Sequence, residues 1–314
     1  MIFLVFCLLI RTFVGCNKTG MVDKLKRLTP FTLLMVLLLC FTAASRKHTT
    51  IFIVGDSTAA NKDTTNGKQE RGWGMMLQRC FDGHIHIDNH AVNGRSSLTF
   101  LNEGRWQTVL DLIKPGDYVI IQFGHNDEKN KADRHTEPGS TFDDNLERYV
   151  RETRQRGGIP VLMNPVVRRN FLMSVPSNKD DEELRTTTAH DGAEMAEGDS
   201  LIDTHGLYRV APRNVALRTN CYFVDANQIT HDLEQGLGKE GSKRLHMWFL
   251  PGEHPSLPKG RRDNTHYNVY GATVVARLLA DALCDEIPQL RKYRVKEKSE
   301  KKDTNVKHKD TKLK

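Results

Sequence analysis

Patterns for metal binding are missing from this sequence of 314 residues. It contains no Cys-x-x-Cys, no His-Glu-x-x-His and no cluster of histidine, cysteine or carboxylate residues at the spacing of metal ligands. No internal repeat is apparent either. The sequence therefore predicts a protein that requires no metal and no other cofactor.

Cysteine is also scarce. The full sequence has six, and only Cys80, Cys221 and Cys284 follow residue 45. An odd number permits at most one bridge, and each of the three lies in an apolar context, where cysteine usually acts as a small buried hydrophobe. This pattern excludes a disulfide framework as the basis of the fold.

The net positive charge comes from one end of the chain. The formal charge is +7, and residues 291–314 contain eleven Lys and Arg against four Asp and Glu, so the remainder is neutral overall. This lysine-rich end lacks apolar periodicity, which predicts a solvated, disordered tail. Contact of the tail with acidic polysaccharide, nucleic acid or a membrane surface stays open as an alternative. Nothing else in the sequence indicates a nucleic-acid partner, and none is predicted.

The first 45 residues have the composition of a targeting segment. Counting from Met21, residues 22–27 are basic overall, residues 31–41 are apolar and residues 43–45 are small, which is the order of a secretory signal and its cleavage site. Met21 is therefore a candidate start. We expect cleavage near Ser45 and a secreted or periplasmic product that has no membrane contact after cleavage.

Two forms of membrane attachment remain as alternatives. In the first, the apolar stretches 1–16 and 30–44 are both translated and form an uncleaved anchor. Each stretch is, however, shorter than the ~20 apolar residues that span a bilayer. A lipid anchor at Cys40 is disfavoured because Leu39 precedes it, where a lipoprotein signal usually has a small residue. A lipid-anchored form is thus the less favoured prediction.

Short apolar runs alternate with helical segments between residues 46 and 290. The runs are rich in β-branched and aromatic residues and are bounded by Gly, Pro, Asp or Asn, as is typical of buried parallel strands. Strands are predicted at 50–54, 85–90, 118–123, 160–163 and 222–224, and helices at 72–81, 98–113, 142–156, 207–217 and 268–284. Because right-handed crossovers place helices on both faces of such a sheet, we predict one α/β domain over residues 46–290. Its fold class is a three-layer α/β/α sandwich with a five-stranded parallel sheet, flavodoxin-like in arrangement.

One segment interrupts this alternation. Residues 174–200 are polar and charged and show no clear period, which predicts an inserted surface loop. Its influence on substrate choice is left open.

A serine follows the first strand, and a histidine lies near the end of the domain. Gly55-Asp56-Ser57 ends the first apolar run, so Ser57 is expected at the carboxyl edge of the sheet, where open α/β sheets bind ligands. A serine hydroxyl needs a histidine to take its proton and a third group to orient that histidine. His266 and Asp263 can fill these roles. Alone, Gly-Asp-Ser is weak evidence, because such tripeptides also form ordinary turns.

Two further segments follow neighbouring strands at the same edge. Gly94 lies just beyond the second strand and Asn126 just beyond the third. Attack on an ester carbonyl builds negative charge on oxygen, which needs preorganised N–H donors at ~3 Å. The backbone N–H groups of Ser57 and Gly94, with Asn126 Nδ2, are candidates for this oxyanion hole. A turn with positive φ at Gly94 and a polar cap at Asn126 are the alternatives.

These segments, in chain order, resemble the four blocks of the SGNH or GDSL-type hydrolases. Within that superfamily the sequence is most similar to the rhamnogalacturonan acetylesterases, over about residues 48–285. The segments that carry the resemblance are Gly55-Asp56-Ser57-Thr58-Ala59, Ala91-Val92-Asn93-Gly94-Arg95-Ser96-Ser97, Phe123-Gly124-His125-Asn126-Asp127, Pro165-Val166-Val167-Arg168-Arg169 and Asp263-Asn264-Thr265-His266-Tyr267-Asn268.

The resemblance implies a role for each matching residue. Ser57 is implied as the nucleophile, Asp263 and His266 as its triad partners, and Gly94 with Asn126 as part of the oxyanion hole. It also implies acetylated pectic polysaccharide or oligosaccharide as the substrate.

Four residues beside these segments are predicted to contact substrate: Arg95, His125, Arg168 and Arg169. Arginine can hold the carboxylate of a uronate through paired hydrogen bonds, which suits a pectic substrate. Ion pairing within the protein is the alternative for each arginine, and a hydrogen-bonded structural role is the alternative for the histidine.

Taken together, the sequence predicts a serine carbohydrate esterase that removes acetyl groups from pectic polysaccharide, above all rhamnogalacturonan. One alternative is a lipase, thioesterase or acyltransferase on the same scaffold, because the shared motifs do not fix the acyl group. The other is a carbohydrate-binding surface protein with an inactive site. The intact set of Ser57, Asn126, Asp263 and His266 weighs against the second alternative.

Overall fold

The computed structural model describes residues 48–171 and 198–295. The predictions for residues 1–45, for most of the 174–200 segment and for the tail from residue 296 onward lie outside this part of the chain.

The centre of the fold is a five-stranded sheet with the strand order β2-β1-β3-β4-β5. All four neighbouring pairs run parallel. The strands are β1 (Thr49–Gly55), β2 (Ile85–Asn89), β3 (Tyr118–Gln122), β4 (Ile159–Met163) and β5 (Tyr222–Val224). The predicted five-stranded parallel sheet is confirmed.

Helices cover both faces of this sheet. They are α1 (Trp73–Met76), α2 (Ser97–Asn102), α3 (Arg105–Leu112), α4 (Thr141–Gln155), α5 (Leu207–Thr219), α6 (Ala226–Ser242) and α7 (Val269–Glu286). Short 3-10 turns lie at Thr65–Gly67, Leu77–Cys80, Lys243–Leu245 and Pro288–Tyr293. The predicted three-layer α/β/α sandwich is confirmed.

The alternation of side chains along β1 builds two separate apolar cores. Ile51 and Ile53 point to one face and pack in the cluster that includes Leu279 of α7. Phe52 and Val54 point to the opposite face and pack in a second cluster with the α2–α5 side of the sheet. Each fully buried side chain of this size stabilises the fold by roughly 1.5–3 kcal/mol. The strand that delivers Ser57 is therefore held firmly from both faces.

Two predicted helices differ in detail from the observed ones. The helix predicted at 98–113 is two helices, α2 and α3, because Gly104 has φ +71° and ends the helical path between them. The helix predicted at 72–81 is the short α1 followed by the 3-10 turn Leu77–Cys80.

Three elements were not predicted. Helix α6 follows β5, and a two-stranded antiparallel ribbon follows α6, made of β6 (His246–Phe249) and β7 (Arg261–Tyr267). Asp263 and His266 therefore lie on a strand of this ribbon, outside the main sheet. The stretch from His246 to Asp263 thus begins and ends in paired strands.

The first residues of the predicted tail belong to the fold. The N–H of Asp82 donates to the carbonyl of Tyr293 at 2.9 Å, and the N–H of Val295 donates to that of Cys80 at 2.9 Å. Cys80, Cys221 and Cys284 are free thiols. Among the helices between His48 and Val295 that the structure describes, none is long and apolar enough to cross a membrane.

Candidate active site

Ser57 lies in the turn that follows β1, at the carboxyl edge of the sheet. Asp56 fixes this turn, because its Oδ1 accepts hydrogen bonds from Thr58 N at 2.9 Å and from Thr58 Oγ1 at 2.8 Å. Asp56 is fully buried, and this burial raises its pKa. Asp56 thus holds the loop, and Ser57 is the residue of this turn whose side chain reaches the histidine.

Ser57, His266 and Asp263 form one hydrogen-bonded chain. Ser57 Oγ lies 2.9 Å from His266 Nε2, and His266 Nδ1 lies 3.0 Å from Asp263 Oδ2. A proton on Nδ1 satisfies the carboxylate and leaves the Nε2 lone pair facing the serine hydroxyl. The structure thereby joins Ser57 to a histidine that lies 209 residues later in the sequence.

An irregularity in β7 gives Asp263 and His266 this arrangement. Trp248 of β6 pairs with Arg262, and His246 pairs with Tyr267, so four residues of β7 (263–266) lie opposite Met247 alone. In a regular strand, side chains three residues apart point to opposite faces. The extra residues break this alternation and allow both side chains to meet on one side.

The Asp263 carboxylate is buried and has a full set of donors. Its Oδ1 accepts from Thr265 N at 2.9 Å and from His266 N at 3.0 Å, which tightens the irregular turn. Its Oδ2 accepts from Arg261 Nη2 at 2.5 Å as well as from His266. Burial alone would raise the pKa of Asp263, but His266 and Arg261 hold it well below its usual value. Asp263 is therefore ionised.

Arg261 was not predicted as part of the site. It lies two residues before Asp263 in the same strand. The only signal in the sequence is that proximity, and a neighbouring arginine-aspartate pair on a strand is common enough that proximity alone does not identify it.

Gly94 and Asn126 lie at the same edge of the sheet. Gly94 has φ +74°, a conformation that favours glycine, and so the turn predicted as its alternative role is present. Asn126 Nδ2 donates to the carbonyl of Arg95 at 3.1 Å, which fixes the side chain beside Gly94. Within residues 48–171 and 198–295, the N–H groups of Ser57 and Gly94 donate to no other group.

Asp127 joins the two loops that carry Gly94 and Asn126. Its carboxylate accepts from Ser97 N at 3.0 Å, Ser97 Oγ at 2.5 Å, Thr136 Oγ1 at 2.9 Å and Gly124 N at 3.1 Å. Burial raises the pKa of Asp127 to about 7. Asp127 belongs to a motif of the sequence, but no role was predicted for it. The structure gives it one, which is to hold these two loops together.

Arg95 and Arg168 have partners within the protein. Arg95 Nε donates to Glu103 Oε2 at 3.0 Å, at an exposed position. Arg168 is buried, pairs with Glu128 and donates to Thr204 Oγ1 at 2.9 Å. The alternative of ion pairing within the protein therefore describes both arginines.

Arg169 supports the ribbon that carries His266. Its side chain is fully buried, and its Nη1 donates to Asn264 Oδ1 at 3.1 Å. Its backbone N–H donates to the carbonyl of Asn264 at 2.8 Å, and its guanidinium lies 5.0 Å from the ring centre of Trp248. Arg169 thus packs behind β7 between Asp263 and Thr265, where it braces the irregular turn.

His125 precedes Asn126 and is buried. Its ring packs edge-on against His205, with 4.5 Å between ring centres, and neither ring nitrogen has a hydrogen-bond partner in the described part of the chain. Burial, together with the charges of His205 and Arg168, holds the pKa of His125 well below its usual value. His125 is therefore neutral, and the hydrogen-bonded role considered for it from sequence is not observed.

Over the two described stretches, 48–171 and 198–295, no three or more His, Cys, Asp or Glu side chains are grouped so that they could hold a metal ion.

Comparisons with known proteins agree with the motifs and the fold. The GDSL-like Lipase/Acylhydrolase family matches residues 53–274. Rhamnogalacturonan acetylesterase RhgT of Bacillus subtilis (strain 168) is 34% identical over 76% of this chain and 90% of its own length. The probable rhamnogalacturonan acetylesterase YesY of the same organism is 31% identical over 74% of this chain and 91% of its own length.

A solved structure shows the same fold. The crystal structure of the Bacillus subtilis protein YxiM superimposes with a TM-score of 0.57 and 25% identity. The match covers 76% of this chain but only 56% of the YxiM chain. The resemblance inferred from the motifs and the predicted fold class are confirmed.

Proposed function

Because this chain belongs to the GDSL-like lipase/acylhydrolase family, we propose that it is a serine carbohydrate esterase that removes acetyl groups from pectic polysaccharide, above all rhamnogalacturonan. The observation that carries the proposal is the continuous hydrogen-bonded chain from Ser57 Oγ through His266 to Asp263. A carbohydrate-binding protein without activity has no use for this arrangement.

The reaction proceeds in two steps. Ser57 Oγ attacks the acetyl carbonyl while His266 Nε2 takes the hydroxyl proton, and the carbonyl oxygen becomes an oxyanion. The C–O bond to the sugar then breaks, and His266 gives its proton to the departing sugar oxygen. This leaves an acetyl ester on Ser57. A water molecule, deprotonated by His266, then attacks that ester and releases acetate and the free serine.

Asp263 has two tasks in both steps. It holds the proton-bearing Nδ1 of His266, so that Nε2 faces the serine, and its negative charge stabilises the imidazolium that forms. Its ionised state, supported by the hydrogen bonds described above, suits both tasks.

The oxyanion is stabilised by donors at the edge of the sheet. We assign this role to the N–H groups of Ser57 and Gly94 and to Asn126 Nδ2. The two backbone groups are not used elsewhere within the described residues, and the bond from Asn126 to the carbonyl of Arg95 leaves its second amide hydrogen for the substrate.

The substrate assignment is supported by the relatives. Two proteins whose names specify rhamnogalacturonan acetylesterase activity align over about three quarters of this chain. A polymeric cell-wall substrate also requires the enzyme outside the cytoplasm, in agreement with the signal expected at residues 21–45. We therefore propose a secreted or periplasmic enzyme.

Release of acetate from defined polysaccharides tests the proposal. Protein beginning near Arg46 is incubated with acetylated rhamnogalacturonan, homogalacturonan and xylan, and in parallel with p-nitrophenyl acetate and a long-chain p-nitrophenyl ester. The proposal predicts preferential release from rhamnogalacturonan and loss of release in Ser57→Ala. The matched control is Ser140→Ala, an exposed serine at the start of α4, which is expected to behave as wild type.

The outcomes separate the alternatives. Cleavage of p-nitrophenyl acetate without release from any glycan would keep the esterase chemistry and refute the pectic substrate. A preference for the long-chain ester would favour a lipase or thioesterase. A folded protein without any esterase activity would refute the enzyme.

A further inference from the structure

Asp263 is the first member of a longer chain of alternating charges. Arg261, which donates to Asp263 through Nη2, donates through Nη1 to Glu70 Oε2 at 2.6 Å. Glu70 Oε1 in turn lies 2.8 Å from Lys62 Nζ. The Lys62 side chain is only 5% exposed, although lysine is normally at the surface. The structure therefore maintains this chain of four charges at a cost in solvation, which calls for an explanation.

This chain of charges ends at the turn that carries Gly94, a candidate oxyanion donor. Lys62 Nζ donates to Asn93 Oδ1 at 2.6 Å, and Asn93 immediately precedes Gly94. The segment that contains Glu70 is also attached to the ribbon, because Arg71 N donates to the carbonyl of Tyr267 at 3.0 Å. The same set of charges thus connects the carboxylate behind the base with the loop that carries a candidate oxyanion donor.

Glu70 and His266 influence each other electrostatically. Burial alone would raise the pKa of Glu70, but the charges of His266, Lys62 and Arg261 lower it to about 2. Interaction between two titrating groups is mutual. The negative charge of Glu70 therefore attracts the positive charge that His266 acquires when it takes the serine proton.

Other charged and titratable groups face His266 from each packed element. On β7 these are Asp263 and Arg261, and from the turn after β1 Asp56 contributes. His125 approaches from the loop after β3. Asp263 and Asp56 favour the imidazolium, as Glu70 does, and neutral His125 adds no charge. Arg261 is the cation of this group that shares its acceptor atom with His266.

We propose that Arg261 and Glu70 are positioning residues that act in opposite directions on the proton-accepting step of His266, an inference that rests on the esterase function proposed above. Arg261 competes with protonated His266 for Asp263 Oδ2 and so favours the neutral imidazole, the form that can accept the serine proton. Glu70 favours the imidazolium through its negative charge, whereas the hydrogen bond that it accepts from Arg261 is one that a glutamine oxygen can also accept. Together, their opposing effects set the pH above which His266 can accept the serine proton.

Two readouts test this proposal in wild type, Arg261→Gln and Glu70→Gln. The first is the acid limb of the pH profile of kcat/KM for p-nitrophenyl acetate. The second is the NMR titration of the His266 ring, whose signals are assigned by their loss in His266→Asn. We expect both readouts to move to higher pH in Arg261→Gln and to lower pH in Glu70→Gln, each by about 0.5–1 pH unit.

The matched control is a remote arginine with two carboxylate partners. Arg218 Nη2 on α5 lies 2.9 Å from Asp143 Oδ2 and 2.9 Å from Glu147 Oε1, both on α4. Arg218→Gln removes a comparable cation, and we expect neither readout to move. If the lost ion pairs acted only on the structure, kcat/KM would fall in all three variants, and the acid limb of its pH profile would not move in opposite directions.

The remaining outcomes are decisive. Shifts of the same sign in Arg261→Gln and Glu70→Gln, or no shift in either, would overturn the proposal. Opposite NMR shifts in a protein that hydrolyses no ester would keep the positioning roles and refute the enzyme. If Arg261→Gln does not fold, Arg261→Lys replaces it: a retained charge is expected to leave the limb in place, and the shift in Glu70→Gln then decides.

Discussion

Ser97 and Asp127, thirty residues apart in the sequence, are joined through both the backbone and the side chain of the serine. Asp127 Oδ1 accepts from Ser97 N at 3.0 Å and from Ser97 Oγ at 2.5 Å. Ser97 opens α2 just after the Gly94 turn, and Asp127 follows Asn126. This pair therefore sets the spacing between two candidate oxyanion donors.

The first prediction concerns Asp127→Asn. An amide nitrogen at this position would face backbone N–H groups that need acceptors, so the fold should lose roughly 1–3 kcal/mol of unfolding free energy. The displaced Asn126 should also lower kcat more than it changes KM. Urea unfolding and steady-state kinetics measure the two effects, with the exposed Asp111→Asn as the control. Wild-type kcat in a destabilised Asp127→Asn would show that the pair does not set the donor spacing.

The second prediction concerns Asp263→Asn. The amide can no longer hold His266 in the required tautomer or stabilise the imidazolium, and kcat should fall by about 10³–10⁴-fold. Hydrolysis of p-nitrophenyl acetate measures this loss. Asp281→Asn, in which an exposed partner of Arg294 is neutralised, should retain full activity. A comparable loss in both variants would indicate a general effect on folding.

The third prediction concerns Asn126→Ala. Removal of one oxyanion donor should cost about 10²–10³-fold in kcat and leave KM nearly unchanged, because the charge forms only as the reaction proceeds. The exposed Asn214→Ala on α5 is the control. If KM rises while kcat is retained, Asn126 binds the ground state of the substrate instead.

The fourth prediction concerns acid stability. The pKa of Glu70 is about 2 in the folded protein and 4.5 as its ordinary value, so the folded state binds this proton more weakly. The stabilisation by Glu70 is therefore present above about pH 4.5 and is lost as the pH falls toward about 2. In Glu70→Gln, unfolding free energies from urea titrations between pH 5 and pH 3 should decline less steeply than in wild type. Parallel declines would contradict the assignment.

Much of the fold could be predicted from local patterns, because β1 and β3 are apolar runs that only a buried strand accommodates. Helix α6 could not be predicted in this way. It contains Gly236, Gly238 and Gly241, which disfavour a helix, and Gly238 indeed interrupts it with φ +67°. Strand β7 escaped for a different reason: its sequence is polar and charged, and its irregular pairing removes the alternation by which a strand is recognised.

The hydrogen-bonded set of Ser57, His266 and Asp263 could be predicted because each of the three stands in a recognisable motif. The roles of Asp127, Arg261 and Glu70 could not, since they depend on pairings between distant segments. Arg261 and Glu70 are 191 residues apart in the sequence, and no local pattern predicts their contact. Conversely, Arg168 and Arg169 have the right chemistry for an anionic substrate, but their burial and internal partners become visible only when the chain is folded.

The position of His266 on β7 determines when the proposed active site can form during folding. Ser57 lies in the turn after β1, and its proposed proton acceptor, His266, lies on β7, the strand just before α7. A chain that ends before β7 lacks His266, so its Ser57 has no histidine to take the hydroxyl proton. Esterase activity therefore begins only when Ser57 and His266, 209 residues apart in the sequence, have met, and its appearance during refolding times the closure of that long-range contact.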